Sequence, residues 1–305
     1  MRAGVTVLAV ALCAAAAGGG GRPVPSDDAT LALRLPSGAQ RVFWRASRAP
    51  IRWTAADARL GGNVAWRRGR PGVEWATLAI TGEGEVLPLT LVLARIDPTA
   101  VSGGLEWGLE GDRSTWSVAR AGGAALAVNA GMFVHRLPWG WVVLDGQERL
   151  SPGHGPLSSA LVGLTDGRLV WVDGDDVSAW RRRADVRFAF QSYPTLLAGD
   201  GEVPAPLQGG GIDATHRDAR LALGIDRQGR LLVALTRLDV PIPGADRVPL
   251  GLTAPEMSAV MGALGARQAM LLDGGISAQM AIADSTGHTM QWKGLRRVPL
   301  ALVFH

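Results

Sequence analysis

The chain has 305 residues, of which 47% are hydrophobic, and a formal net charge of +4 that is carried almost entirely by arginine. The basic residues are dispersed and are not clustered with aromatics, so we expect no nucleic-acid partner. Cys13 is the only cysteine, which excludes an internal disulfide framework and a thiolate metal site.

Residues 1–21 have the pattern of a secretory signal peptide. Arg2 precedes an apolar run over residues 5–17, and small residues follow the run. Cys13 lies inside this run, but Leu12 before it is not the small residue that a lipoprotein signal needs. We therefore expect a periplasmic or secreted protein, with lipid anchoring at Cys13 as the less favoured alternative. Because no later run reaches membrane-spanning length, we expect no stable membrane insertion after signal cleavage.

Residues 29–123 are predicted to form a β-rich, tryptophan-rich N-terminal region. Residues 80–84 and 86–96 have a strand–turn–strand pattern, in which alternate positions of the second strand are leucine. The tryptophans suit a carbohydrate-stacking face, but core or domain packing is their commoner role. They are Trp44, Trp53, Trp66, Trp75, Trp107 and Trp116.

Residues 124–305 are predicted to form a second region of short strands separated by turns. Asp166 and Gly167 lie between two apolar runs, which is a strong hairpin signal. The segment from Thr253 to Gly265 predicts a capped helix, because it combines a capping box, a first-turn proline and a terminal glycine. Few helices and many strands predict an α+β or mixed α/β fold, with a mixed, largely antiparallel sheet and an active-site cleft at strand ends.

Two polar motifs stand at the ends of apolar runs, with the sequences N-A-G at residues 129–131 and D-G-G at residues 273–275. In each motif a glycine follows a hydrogen-bonding side chain and permits close approach of a backbone or a ligand. Polar groups in this position form the clefts of many α/β enzymes. The motifs predict one composite site built from Asn129 and Asp273, with Arg220 as an anion clamp at the start of another apolar run.

Each of these residues also has a plainer interpretation. Asp273 at a buried strand end suits general acid or base chemistry, but an aspartate that caps the Gly274 turn has the same pattern. Asn129 is equally well a polar strand cap, and Arg220 an edge-strand arginine. His135 is isolated, so a surface or turn role is favoured. The sequence contains neither a serine-nucleophile elbow nor a histidine metal motif, and we expect no cofactor or metal.

Six stretches of the second region occur in the order typical of one known family. They are residues 128–133, 138–146, 191–197, 220–225, 272–277 and 297–302. In these stretches the chain resembles the phosphodiester glycosidase family, and most closely its exported bacterial branch. The family's enzymes hydrolyse a sugar from a phosphodiester on the glycosyl side.

The resemblance implies roles for individual residues. Asp273 is expected to act as the acid/base, and Arg220 to stabilise the leaving phosphate with help from Asn129. Asp145 is the choice for a second carboxylate. The remaining predicted substrate-binding residues are Gly131, His135, Gln191, Ser192, Gly274 and Ser277.

Two departures from the family pattern bear on specificity. Tyr193 stands where a glycine is usual and is expected to crowd the cleft beside Ser192, and Val134 is inserted before His135. The expected partner is a sugar phosphodiester or a phosphorylated glycan. Two other functions stay open at this point: a non-catalytic exported protein for carbohydrate binding or envelope assembly, and a phosphodiesterase that cuts the P–O bond.

Overall fold

The computed structural model describes residues 29–108, 114–155, 157–208 and 214–305. The expected signal peptide and Cys13 lie outside the described residues. The described chain forms three sheets and a small hairpin, and every strand pair in it is antiparallel. The α+β, largely antiparallel prediction is confirmed. No helix in these ranges is both long and apolar enough to cross a membrane.

The largest sheet, sheet A, has nine strands. In spatial order they are β15 (Thr195–Leu197), β18 (Ala266–Leu272), β16 (Leu221–Asp226), β17 (Leu231–Leu238), β5 (Leu89–Ile96), β4 (Val73–Thr81), β1 (Thr30–Arg34) and β2 (Gln40–Arg45), with β3 (Arg67–Arg68) paired to β4.

Two smaller sheets have five strands each. Sheet B has the order β11 (Gln147–Leu150), β10 (Val142–Leu144), β14 (Val186–Ser192), β12 (Ser159–Leu164) and β13 (Leu169–Asp173). Sheet C has the order β20 (Thr289–Trp292), β19 (Met280–Ala283), β7 (Leu126–Asn129), β21 (Leu300–Phe304) and β6 (Gly103–Trp107). The hairpin consists of β8 (Met132–Val134) and β9 (Leu137–Trp139).

The α-helices of the described residues are α1 (Thr115–Gly122), α2 (Val177–Trp180) and α3 (Ala254–Leu264). Helix α3 begins at the predicted capping box, since Thr253 N donates to the Glu256 carboxylate (2.9 Å) and Glu256 N donates to Thr253 Oγ1 (3.3 Å). It ends at Gly265, which is in the left-handed conformation. The predicted turn at Gly167 joins β12 to β13.

Alternation of apolar side chains gives sheet A two buried faces. Leu221, Leu223, Met270 and Leu272 pack into the core shared with sheets B and C, whereas Ala222 packs into the core shared with α3. Because adjacent side chains on a strand point to opposite faces, these near-continuous apolar runs mark strands that are covered on both sides. The central strands of sheet A therefore provide a rigid base for residues at their ends.

The two regions distinguished in the sequence share sheets. Strand β5 of the N-terminal region pairs with β17 over eight residues, and β6 pairs with β21 over five. Trp44, Trp53 and Trp75 are buried, so they contribute to packing.

Candidate active site

The predicted motifs meet where three strands from three different sheets end. Asn129 at the end of β7 donates from Nδ2 to the Asp273 carbonyl (2.9 Å), and its Oδ1 accepts from Gln279 N (3.0 Å). Asp273 N donates to the Gly131 carbonyl at 2.9 Å. Ser192, the last residue of β14, donates from Oγ to the Leu271 carbonyl at 2.5 Å. The structure thus brings Asn129, Ser192 and Asp273 together.

Gly131 makes the close approach of β7 to β14 sterically feasible. Its φ of +67° is in the left-handed region, and a Cβ atom there would lie 3.1 Å from the Gln191 carbonyl oxygen. Gln191 is buried, with its side chain bonded to Trp141 N (3.0 Å) and to both Gly153 N (3.0 Å) and Gly153 O (3.2 Å). It therefore fixes the loops around the site.

Asp273 is a half-buried carboxylate that directly follows β18. Burial raises its pKa above the ordinary value, and the neighbouring carboxylate of Asp218 adds to this rise. A hydrogen bond with the Ser277 side chain and the charge of Arg296 oppose the rise but do not cancel it. Within the described residues, Asp273 Oδ2 is buried without a hydrogen-bond partner. A water molecule or a substrate hydroxyl would satisfy this oxygen.

Asp218 is a second, half-buried carboxylate, which the sequence reasoning did not identify. Burial raises its pKa, and this outweighs the opposing charges of Arg220 and His216 and a hydrogen bond from Ala219 N. A Cβ atom on Gly275, whose φ is +56°, would lie 2.7 Å from Asp218 Oδ2. Glycine at this position therefore lets the carboxylate pack against the D-G-G turn.

The antiparallel pairing of β16 with β18 explains the position of Asp218. Leu221, near the start of β16, pairs with Leu272 at the end of β18, so the residues just before β16 lie beside Asp273. In the sequence Asp218 precedes the predicted Arg220 by only two residues. Its position beside Asp273, however, follows only from the strand order.

Arg220 lies beside Asp218, and its guanidinium forms hydrogen bonds with the neighbouring backbone. Its Nε donates to the Leu252 carbonyl at 2.7 Å, its Nη2 donates to the His216 carbonyl, and its backbone N donates to Thr236 Oγ1 at 2.7 Å. Its positive charge lowers the pKa of Asp218. The predicted arginine is therefore at the site, with its guanidinium next to the second carboxylate.

Arg296 is a second arginine at the site that the sequence reasoning did not identify. Its guanidinium lies 4.7 Å from the ring centre of Phe133 and donates to the His135 carbonyl at 3.0 Å. Its charge lowers the pKa of Asp273. The surrounding segment has no helical or strand periodicity, so no local pattern indicated that Arg296 faces the aspartate.

Ser277 and Gly274 form the turn that follows Asp273. Ser277 is buried, and its backbone N donates to the Gly274 carbonyl at 3.0 Å. The turn Gly275–Ser277 is a short 3-10 helix. Together with Asn129, it fixes the direction in which the Asp273 side chain projects.

Two predicted residues are placed differently from the rest. Asp145 is an exposed residue in the turn between β10 and β11, and Gly146 N beside it donates to the Arg187 carbonyl. Arg187 is four residues before Gln191 on β14, so Asp145 is about 13 Å along the strand from the site. The structure does not bring Asp145 to Asp273. His135 is exposed at the tip of the β8–β9 hairpin, and its carbonyl holds Arg296.

The β8–β9 hairpin separates an aromatic side of the site from a cationic side. Met132 pairs with Trp139 and Phe133 pairs with Pro138, so Trp139 and Phe133 project to opposite faces. On one face Trp139 packs edge-on against Tyr193, with ring centres 4.6 Å apart, and Tyr193 is 41% exposed. Tyr193 thus projects to the rim of the site, while Ser192 is buried. On the other face Phe133 meets Arg296.

In the parts of the chain that the structure describes, no three His, Cys, Asp or Glu side chains come close enough together to hold a metal ion.

Comparison with known proteins gives the family. The catalytic domain of zebrafish N-acetylglucosamine-1-phosphodiester alpha-N-acetylglucosaminidase, auto-inhibited by its pro-peptide, matches with a TM-score of 0.58 at 18% identity, over 79% of this chain and 87% of that one. A hypothetical protein from Synechocystis matches with a TM-score of 0.52 at 16% identity, and the match covers 76% of this chain but only 62% of that protein. At these identities the likeness supports the fold alone. No curated protein gives a significant match. The family model for phosphodiester glycosidases matches residues 122–305, more than half of the chain, and the protein therefore belongs to the phosphodiester glycosidase family.

Proposed function

We propose that the protein hydrolyses the glycosidic C–O bond of a sugar whose anomeric oxygen belongs to a phosphodiester. The observation that carries the proposal is the pair of carboxylates, Asp218 and Asp273, whose pKa values are both raised by burial beside Arg220 and Arg296. Glycoside hydrolysis uses two carboxylates, and a departing phosphate needs nearby cations.

The two carboxylates have different roles. Burial and, to a smaller extent, the charge of Asp218 raise the pKa of Asp273 and so make it a stronger base. Ionised Asp273 takes a proton from water as the water oxygen bonds to the anomeric carbon. The C–O bond breaks, and its electron pair leaves with the phosphate, which departs as a phosphomonoester. Because this leaving group is stable as an anion, it needs no protonation.

The two sides of the hairpin give the substrate an orientation. The charge of Arg296 acts on Asp273, so Arg296 receives the phosphate oxygens, while Arg220 stabilises the ionised form of Asp218. The exposed Tyr193, packed on Trp139, offers an aromatic surface to the apolar face of the sugar ring. Asn129, Gln191 and Ser192 are positioning residues, since their side chains bond to neighbouring backbone. Gly131, Gly274 and Ser277 shape the turns, and His135 supports Arg296.

We also propose that the protein is exported and acts on an envelope or extracellular glycan. The support is the signal-peptide pattern of residues 1–21, with a charged start, an apolar run and small residues after it.

Hydrolysis in ¹⁸O-labelled water tests the reaction directly. With a methyl phosphodiester of N-acetylglucosamine 1-phosphate as substrate, we expect the label in the sugar, because water attacks the anomeric carbon. Mass spectrometry of both products locates the label. Label in the phosphate would instead identify a phosphodiesterase that cuts P–O. Tight glycan binding without turnover of any sugar phosphodiester would favour the non-catalytic binding protein.

Replacing Asp218 with asparagine tests the carboxylate pair. We expect kcat/KM to fall, because Asp273 becomes a weaker base when the charge of Asp218 is removed. Asp218 raises the pKa of Asp273, so its removal lowers that pKa, and the pH limb that reports Asp273 moves to lower pH. The measurement is kcat/KM between pH 3 and 8. Asp145→Asn is the matched control, and we expect it to leave the profile unchanged. An unchanged profile in Asp218→Asn would remove Asp218 from the mechanism.

A further inference from the structure

A cavity of about 380 Å³ lies next to the candidate active site. Its walls are the first turn of α1, the start of β19, the end of β20 and the segment 293–297. A larger cavity of about 620 Å³ lies over β1, β4 and β5, but among the described residues that line it only Arg34 is charged, and this arginine is paired with Asp239. The smaller cavity has the more distinctive chemistry.

Cations dominate the wall of the smaller cavity. Lys293, Arg296 and Arg297 line it, and none of the described lining residues carries a carboxylate. Lys293 Nζ lies 5.9 Å from the ring centre of Trp116, and Trp116 and Trp292 both contribute to the wall. A concave surface with three cations and two indole rings matches a small anionic group joined to an apolar or sugar-like body.

A buried arginine adds positive charge behind this wall. Arg237 is almost fully buried on β17, and its Nη2 donates to the carbonyls of Ala278 (2.7 Å) and Lys293 (3.2 Å). Burial lowers the pKa of Arg237 to about 10, so the guanidinium is still charged at neutral pH. Arg237 therefore fixes the backbone at Lys293 and strengthens the positive potential of the cavity.

A polar group at the start of α1 is left without a partner. Thr115 lines the cavity and is 1% exposed, and its Oγ1 has no hydrogen-bond partner within the described residues. It lies in the first turn of α1, where the helix dipole favours an anion. The Thr115 hydroxyl is buried without a partner and lies beside a helix start and three cations. It is therefore available to donate a hydrogen bond to an anion.

Two residues of the cavity wall also interact with residues of the candidate active site. Arg296 lines the cavity and also acts on the Asp273 carboxylate. Gln279 lines it too: its backbone N donates to Asn129 Oδ1 (3.0 Å), and its side chain accepts from Thr115 N (3.3 Å). A substrate with its scissile phosphate at Arg296 therefore continues towards Lys293.

We infer that this cavity is a second anion subsite, which binds a further phosphate on the aglycone side of the substrate. The inference rests on the proposed function and specifies its substrate class: a sugar phosphodiester whose aglycone carries another phosphate, as in a repeating phosphodiester-linked glycan. Lys293 holds the second phosphate, and Trp116 with Trp292 contacts the body between the two phosphates.

Because Lys293 is the only lysine, it can be labelled selectively. Reductive methylation with ¹³C-formaldehyde gives NMR signals from Lys293 and from the α-amino group alone. Addition of inorganic phosphate should shift the Lys293 signal in a saturable way, whereas chloride at equal ionic strength should not. Arg120→Gln is the matched control, because Arg120 also lies over Trp116 (5.4 Å) but does not line the cavity. In this variant the response of the Lys293 signal to phosphate should be the same as in the wild type. An identical response to phosphate and chloride would overturn the subsite and would not bear on the proposed reaction.

A pair of substrates tests the subsite during turnover. One is a sugar 1-phosphate linked to glycerol, and the other carries an additional terminal phosphate on that glycerol. Lys293→Gln should lower kcat/KM for the second substrate about tenfold more than for the first, because one charge-assisted contact is lost. Equal effects on both substrates would overturn the subsite. If the wild-type protein cleaves neither substrate, the proposed function fails, and the NMR titration still decides whether the cavity binds phosphate.

Discussion

Replacing Asp273 with asparagine is expected to reduce kcat by about 10²–10⁴-fold, which is the usual effect of removing a positioned proton-transfer group. The amide has nearly the same size as the carboxylate, so an uncleaved sugar phosphodiester should bind with little change in Kd. The measurements are steady-state turnover and calorimetric binding of a non-hydrolysable phosphonate analogue. A variant with full turnover would show that Asp273 only caps the turn that begins at Gly274.

The melting temperature separates a chemical effect of this variant from a structural one. Burial raises the pKa of Asp273 in the folded protein, so the stability that its protonated form contributes is lost as the pH rises through that pKa. Asparagine cannot ionise, and we therefore expect the variant to melt at the same or a higher temperature than the wild type at pH 7. A large fall in Tm that accompanies the loss of activity would contradict the catalytic role.

Replacing Asn129 with leucine is expected to lower the free energy of unfolding by about 2–5 kcal/mol. Asn129 is fully buried, and the change leaves Gln279 N and the Asp273 carbonyl without their side-chain partner. For a chain of this size the shift in Tm is on the order of 10 °C. Thermal unfolding followed by circular dichroism measures it.

Kinetics below the melting transition then show what Asn129 does in the folded enzyme. As a positioning residue it should affect kcat more than KM, because it fixes the backbone of Asp273 and does not touch the substrate. The exposed residue Asn63, changed to leucine, is the matched control and should cost much less stability. Unchanged stability together with a raised KM would instead make Asn129 a substrate ligand.

Local sequence patterns predicted the elements whose signals are themselves local. The capping box from Thr253 to Glu256 identified α3, and the Asp166–Gly167 turn identified a hairpin, because both depend on hydrogen bonds between near neighbours in the chain. The pairing of Asn129 with Asp273 was also predictable, since each motif has its own strand-end signature.

The rest of the site depends on strand order, which no short window of sequence contains. Asp218 lies beside Asp273 only because β16 pairs antiparallel with β18, and Arg296 faces Asp273 only because its loop packs against Ile276. Asp145, the predicted second carboxylate, is followed by glycine in the sequence. In the structure the same pattern makes a tight hairpin turn, with Asp145 at a φ of +49° and at the other end of β14.

The position of β21 determines when the active site can form. This strand lies between β6 and β7 inside sheet C, although it is the last of the described strands. Until residues 300–304 have been synthesised and inserted, β7 lacks one of its two neighbours, and Asn129 has no fixed position from which to hold Asp273. Asn129 therefore reaches the position from which it bonds to the Asp273 carbonyl only when β21 has joined sheet C, so the candidate site forms late in folding.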